Sequence, residues 1–441
     1  MRLLCTSDLH LGRRSSRFPD RVPAEALAAI DAWHRIVDAA IEHRVDVVAL
    51  GGDVVDQDNR YFIADGPLAA GIRRLHEHSI ATVAVAGNHD FDVFPALATT
   101  LRDALPAGAF HFLGAGGAWE RVTLTTRSGE RLHVDGWSFP SRHVTSCPLD
   151  SYTLPPAHDA PVLGLLHTDR DVAGSVYAPT TTAALQASPV RMWCIGHIHI
   201  PAVVQAHGAT ILNPGSPQPL RPTETGAHGA WLVELPPAGT PTLHMLSLAA
   251  ARYDTVTVSL DGIESIDGAR QAIGRAVHTH IDSCLADIAT NGQRPSLRAL
   301  GLRVDLTGRT PVRRKLEDEL VRLREDAAYD RSELIVHIEG IDSDLRPPLD
   351  LAQLAAVRDA RGWLARVILA ARSAPGTYDA IIPDSLWQAA RAAAMSTIDA
   401  KPFTDLPREH RTIDDAQLRA IVAAQAERLL DALVAQREEA A

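Results

Sequence analysis

Lysine is almost missing from this 441-residue chain: it stands only at positions 315 and 401, so the basic residues are nearly all arginine. Acidic residues outnumber basic ones 54 to 43, leaving a formal net charge of −11. That balance argues against a generally basic nucleic-acid binder, because neutralising a phosphate backbone takes many Lys and Arg side chains. It leaves room for a nuclease, since divalent metals and local arginines hold phosphate where the global charge opposes it. Cysteine is scarce too. Cys5, Cys147, Cys194 and Cys284 are far apart and show no CxxC spacing. Cys5 and Cys194 fall in apolar strand-like runs, where cysteine behaves as a small hydrophobe, so a reducing cytoplasm is the expected home. No apolar run approaches membrane-spanning length, and the first candidate motif starts at Asp8, leaving no room for a cleavable signal segment. Internal repeats, heptads and low-complexity tracts are also missing.

What is present is a 46% hydrophobic, foldable chain, longer than one core usually organises, so a large domain with smaller ones is expected. The stretch Val45–Asp56, VDVVALGGDVVD, reads as a buried strand, two glycines for a tight turn, and Asp53 at the strand's carboxyl end. The same grammar recurs. Leu3 to Cys5 leads into Asp8 and His10, Ala81 to Ala86 into Asn88, His89 and Asp90, Val162 to Leu166 into His167, and Met192 to Gly196 into His197 and His199. Alternation along an extended chain would put Asp8 with His10, and His197 with His199, on one side. Helices are expected over Ala24–His43 and Phe62–His78, giving α/β layering with parallel strands whose carboxyl ends share one edge. From Ala109 to Phe139, shorter alternating segments suggest a second, more antiparallel sheet packed on the first.

The large domain is expected to close near residue 250, giving 1–250. A βαβαβ block over 251–346 follows, its helices marked by Ile273, Val277, Ile281 and Leu285 and by Leu316, Leu320 and Leu323. Pro347 and Pro348 then lead into a helical region, 347–441, with helices over Leu351–Arg372, Asp384–Met395 and Asp414–Gln436, the last opened by a Thr412-x-x-Asp415 cap.

Collected, the strand-end residues Asp8, His10, Asp53, Asn88, His167, His197 and His199 offer carboxylate, amide and imidazole donors. Such ligands suit manganese, iron or zinc. Seven are too many for one ion and fit two, with Asp53 shared, which is the arrangement for in-line attack on a phosphoryl group. His89 follows Asn88 directly, so its side chain diverges from the ligands and is free to touch phosphate and protonate a leaving oxygen. A lone DxH or HxH is commonly chance or a surface pair. The joint pattern, each member at a strand end, is what points to metal. His167 stands alone, and His143 and His158 compete with it. Asp56 is either a partner of a ligand histidine or an acid near a helix start. Arg13, Arg14 and Arg17, and Arg221 beyond the Asn213-Pro-Gly-Ser-Pro217 turn, either grip substrate phosphate or are simply solvated.

The blocks DLH, LGGDVVD, AGNHD, LLHT and GHIH resemble, in order, those of the calcineurin-like metallophosphoesterases, over roughly the first half of the chain. Within that family, Ser-Asp-Leu-His-Leu-Gly12 and Asn-Pro-Gly-Ser-Pro217 look most like DNA-repair exonucleases of the SbcD and YhaO type. Two departures stand out: Asn213 replaces the Tyr of many relatives, and Gln57 and Asp58 stand where the protein phosphatases have Arg-Gly. The resemblance implies Asp8, His10, Asp53 and His199 on one metal, Asp53, Asn88, His167 and His197 on the other, with His89 catalytic. It further implies two divalent ions, manganese foremost, with DNA as substrate. It also implies an SMC-like ATPase partner of the SbcC or YhaN type docked on the C-terminal helices, a capping role for 251–346, and a homodimer. Two other readings compete: a phosphodiesterase or phosphatase for a small nucleotide or other phosphoester, which the acidic charge favours, and a scaffold with a vestigial site, which the complete ligand set opposes.

Overall fold

Strand β1 (Arg2–Thr6) is followed by α1 (Ala29–Glu42), β2 (Val47–Leu50), α2 (Tyr61–Glu77), β3 (Ala81–Ala84), α3 (Phe94–Ala104) and β4 (Phe110–Phe112). These parallel strands stay in register, Leu3 opposite Val47 and Val47 opposite Ala81. The computed structural model describes residues 1–56, 61–206, 208–290, 296–316, 320, 328–331, 333–373, 383–398 and 412–439. After β4 come β5 (Glu120–Thr125), β6 (Arg131–Trp137), β7 (Val162–His167), α4 (Thr182–Ala187), β8 (Met192–Gly196), β9 (Ala202–Ala206), β10 (Ala209–Asn213), β11 (Gly229–Glu234) and β12 (Thr242–Ser247). Two six-stranded sheets result, ordered β12-β11-β1-β2-β3-β4 and β5-β6-β7-β8-β10-β9.

The apolar runs of β1 to β3 are continuous because both faces of their sheet are covered. Leu4, Val48 and Ala84 face the helices, packing with Trp33, Ile36, Leu68, Ile72, Phe94 and Leu97. Leu3, Cys5, Val47, Ala49 and Val83 face the second sheet, against Val134, Leu163, Leu165, Met192 and Cys194. Each fully buried Val, Leu, Ile, Phe or Met among them contributes about 1.5–3 kcal/mol by leaving water.

The second sheet is less antiparallel than its short segments suggest. Its β6-β7, β7-β8 and β8-β10 pairs are parallel, and only the outer pairs, β5-β6 and β10-β9, run antiparallel. Hydrophobic alternation reports which face is buried, not strand direction, which the crossover connections decide. Helix α1 also begins later than its pattern implies, because residues 24–27 form turns and Ala28 an antiparallel bridge to Arg14 before Ala29.

A third sheet, ordered β13-β14-β16-β15, comprises β13 (Ala251–Ser259), β14 (Ala299–Arg309), β15 (Ala328–Arg331) and β16 (Leu334–Arg346), with α5 (Ile266–Thr290) between β13 and β14. Strand β15, an antiparallel hairpin partner of β16, was not expected from the sequence pattern. Of the helix expected at Leu316, Leu320 and Leu323, Leu323 lies outside the described residues.

The single helix expected over Leu351–Arg372 is two, α6 (Leu351–Ala355) and α7 (Ala360–Arg372), because Asp359 is extended and caps the second by accepting from the Gly362 amide at 3.0 Å. Helices α8 (Asp384–Ile398) and α9 (Asp415–Glu439) follow. Asp414 caps α9: its carboxylate accepts the Gln417 amide at 2.7 Å while Gln417 reaches back to the Asp414 amide at 3.0 Å.

Two compact units divide the chain: Met1–Val256 with Val277–Val304 and Leu323–Ile341, and Thr257–Ala276 with Asp305–Arg322 and Asp342–Ala441. Among the described residues, no helix is long and apolar enough to cross a membrane.

Candidate metal centre

Strand β1 ends at Thr6 and β2 at Leu50, and both chains then leave the sheet side by side. The Asp8, His10 and Leu11 amides donate to the Gly52, Asp53 and Val54 carbonyls at 3.0, 3.0 and 2.9 Å. These loops are not extended: φ is 54° at Asp8, 46° at His10, 50° at Asp53 and 100° at His197. The pairing of side chains by strand alternation is therefore corrected, since left-handed residues turn each one individually. Such conformations cost non-glycine residues on the order of 1–3 kcal/mol each and persist where surroundings over-determine them. Gly52, at φ 93°, lies so close to His167 that a Cβ there would sit 2.6 Å from its Nδ1.

These turns converge seven donor side chains. His10 Nε2 is 3.2 Å from His199 Nε2, and His199 Nε2 is 3.9 Å from an Asp8 oxygen. Asn88 Oδ1 lies 3.1 Å from both His167 Nε2 and His197 Nδ1. Asp53 Oδ2 stands between the groups, 3.8 Å from His10 Nε2 and 3.5 Å from His167 Nε2. His197 and His199, instead of sharing a side, serve different groups. The Asp8 carboxylate accepts the His197 amide at 3.1 Å, and the His89 amide donates to Asp53 Oδ1 at 2.8 Å. Asp8, His10, Asp53, Asn88 and His167 are buried, while His89 retains 35% exposure of its side chain.

Electrostatics favours cations here. Burial pushes the Asp53 carboxyl up, but the imidazoles of His167, His10 and His89 outweigh it and hold it below its ordinary value. Burial, and then the neighbouring His167, draw His197 down to about 4, leaving its ring neutral with a lone pair to offer. For His89 the hydrogen bond to Asp56 outweighs burial and raises the ring. Ligand atoms of Asp8, His10 and His199, and of Asp8, Asp53 and His167, lie within 4.8 Å of one another. Carboxylate and imidazole donors that face one another in this way fit divalent cations, and Asp8 belongs to both of these groups.

Although it diverges from Asn88 toward Asp56, His89 stays in the cluster, its ring edge-on to that of His10 with centroids 5.1 Å apart. Its Nδ1 is 3.3 Å from Asp56, which also lies 3.6 Å from His10 Nδ1 and from Arg13 Nε. Asp56 thus stands beside both His10 and His89. Of the competing imidazoles, His143 and His158 are exposed and His167 is wholly buried in the cluster. Arg17 reaches Glu339 at 3.4 Å, while Arg14 and Arg221 are exposed. Gln57 and Asp58 lie outside the described residues.

Sequence reasoning missed two acids. Asp90, fully buried, accepts the Gly87, Val54 and Val55 amides at 2.7, 2.7 and 3.2 Å and so ties the Asn88 turn to the Asp53 loop. Its place beside His89 was the available signal. Glu224, 3.0 Å from His199 Nδ1, gave none, lying 25 positions further on in an irregular loop. A separate trio, Asp254, His280 and Cys284, is an ion-pair network, because Arg252 already holds Asp254 Oδ2 at 2.7 Å.

The calcineurin-like phosphoesterase family pattern matches residues 1–201, and that of the metallophosphoesterase YhaO middle domain matches residues 253–346. The chain is 28% identical over 246 residues to an uncharacterized metallophosphoesterase YhaO of Bacillus subtilis, covering 52% of this chain and 56% of that protein. It is 27% identical over 283 residues to a DNA double-strand break repair protein Mre11 of Haloferax volcanii, covering 62% of this chain and 58% of that protein. It therefore spans little more than half the length of these curated relatives. Among solved structures it is similar to a dimetal phosphatase of Danio rerio, at 14% identity and a TM-score of 0.34, over 53% of this chain and 92% of that one.

Proposed function

We propose, for a chain that carries a calcineurin-like metallophosphoesterase domain followed by a YhaO middle domain, that it hydrolyses DNA phosphodiester bonds as the nuclease subunit of a repair complex. The observation that carries this reading is Asp53 Oδ2 facing His10 on one side and His167 on the other, a carboxylate oxygen common to two ligand groups. Two divalent cations, manganese foremost, supply when bound the positive charge that offsets phosphoryl oxygens and lowers the pKa of an attacking water. Asp8, His10, Asp53 and His199 would hold one, and Asp53, Asn88, His167 and His197 the other. His89, partly exposed beside them and with its ring raised by the hydrogen bond to Asp56, would donate to the leaving oxygen. Arg13, drawn toward the site by Asp56, and Arg14 contact the flanking phosphate.

The Mre11 relative's name supports DNA as the substrate. Residues 251–346 would guide it. The C-terminal helices support a docking role, because Trp363, Ile421 and Leu429, exposed by 43, 39 and 58%, rim an apolar groove of 350 Å³. Its occupant in this reading is an SMC-like ATPase. Four unpaired thiols accord with a reducing, cytoplasmic setting.

The test is hydrolysis of end-labelled duplex and single-stranded DNA in manganese, beside the small diester bis(p-nitrophenyl) phosphate. DNA cleavage is expected, with His89→Ala slowing it by roughly 10²–10⁴-fold while still binding two manganese ions. Turnover of the small diester with DNA left intact would replace this reading with that of a small-phosphoester enzyme. Full activity in His89→Ala would remove His89 from the chemistry.

A further inference from the structure

His199 is held from outside the cluster at its ring by one side chain, Glu224, and at its flanking backbone by another, Asn213. Asn213 Nδ2 donates to the carbonyls on either side of His199, Ile198 at 2.6 Å and Ile200 at 3.3 Å. The His199 carbonyl accepts the Ser216 amide at 2.9 Å. That close approach needs Gly215, at φ 75°, where a Cβ would stand 2.5 Å from the His199 oxygen. The ring is held by Glu224, whose Oε1 is 3.0 Å from Nδ1. Glu224 is itself fixed, Oε2 accepting the Leu220 amide at 2.7 Å and the Ser216 hydroxyl at 3.3 Å, and only 7% of the residue is exposed.

We propose that Glu224 is a positioning residue: it takes the Nδ1–H of His199 and so presents the Nε2 lone pair to the subsite formed with Asp8 and His10. An ionised carboxylate only accepts hydrogen bonds, so the ring nitrogen it faces must carry the proton. Nε2 is then the ring nitrogen that can offer a lone pair to metal, and the hydrogen bond opposes rotation of the ring away from the subsite. His167 has the same arrangement with a different acceptor, its Nδ1 standing 3.0 Å from the Gly51 carbonyl. Asn213 clamps the backbone on either side of the residue whose ring Glu224 orients.

This inference rests on the two-metal reading of the site, and manganese titration by calorimetry separates the two. In Glu224→Ala, one of two manganese sites should weaken by about 10–100-fold and the other should hold. Glu224→Gln, whose amide oxygen still accepts from Nδ1, should recover part of the loss. In a His199→Ala background, Glu224→Ala should add nothing, because its effect passes through that ring. Two unchanged affinities in Glu224→Ala, or additive losses in the double variant, overturn the positioning role alone. Wild-type protein that takes up fewer than two ions overturns both readings. Should Glu224→Ala fail to fold, Ser216→Ala removes one donor from Oε2 and should weaken the same subsite several-fold; no change there counts against Glu224 as well.

Discussion

Asp53 is held at φ 50° with Oδ1 bonded to the His89 amide and Oδ2 turned toward two imidazoles. Each of its oxygens therefore has a different duty, and Asp53→Asn should lower manganese uptake at both subsites, whereas His10→Ala should weaken mainly one. Retention of two ions by Asp53→Asn, measured by metal analysis after dialysis, would contradict a bridging role. His89 lends itself to a pH measurement. Its hydrogen bond to Asp56 is the largest influence raising it, with burial opposing and the charges of Asp53, Asp56 and Asp90 adding to the rise. An acid that must be protonated to act loses activity as pH rises through its pKa. Removing the Asp56 charge lowers that pKa, so Asp56→Asn should move the alkaline limb of the pH–rate profile to lower pH. An unmoved limb would mean that another group is the acid.

At the scale of elements, the site depends on where strands stop more than on the strands themselves. The parallel register of β1, β2 and β3 brings Thr6, Leu50 and Ala84 to one edge, and the loops beyond carry the donors. The helical end of the chain is organised by a cap and by ion pairs instead. The Asp414–Gln417 box opens α9, and Arg309 from β14 bridges Glu427 and Asp431 on that helix, both at 2.7 Å. Asp414→Ala should cost about 1 kcal/mol of the stability of this region, read as a lower urea midpoint, and should leave manganese stoichiometry untouched. A change in metal binding would show that the cap does more than start a helix.

For the whole molecule, the net charge of −11 constrains the proposed hold on DNA. If Arg13, Arg14 and Arg221 supply the phosphate contacts, the salt dependence of DNA affinity should be shallow, a log–log slope of roughly −3 at about −0.9 per phosphate. Fluorescence anisotropy across a salt series, in calcium to prevent cleavage, measures it. A slope near −8 would reveal a basic surface beyond these three arginines, or a contribution from a partner.

The amino-acid order alone determined the α/β class and the identity of the converging donors, because buried parallel strands write themselves as short apolar runs, and Gly, Asp, Asn and His at their ends have few other reasons to recur together. It also marked His89 as different from its neighbour. Only the tertiary structure decided which donor faces which. Asp8, His10, Asp53 and His197 adopt left-handed conformations imposed by hydrogen bonds between loops far apart in the chain, and no periodicity encodes those. The direction of the second sheet's strands was hidden for a related reason, since alternation records burial and not crossover. Glu224 was hidden most completely: a single acid in an irregular loop acquires meaning only when folding places it 3.0 Å from His199.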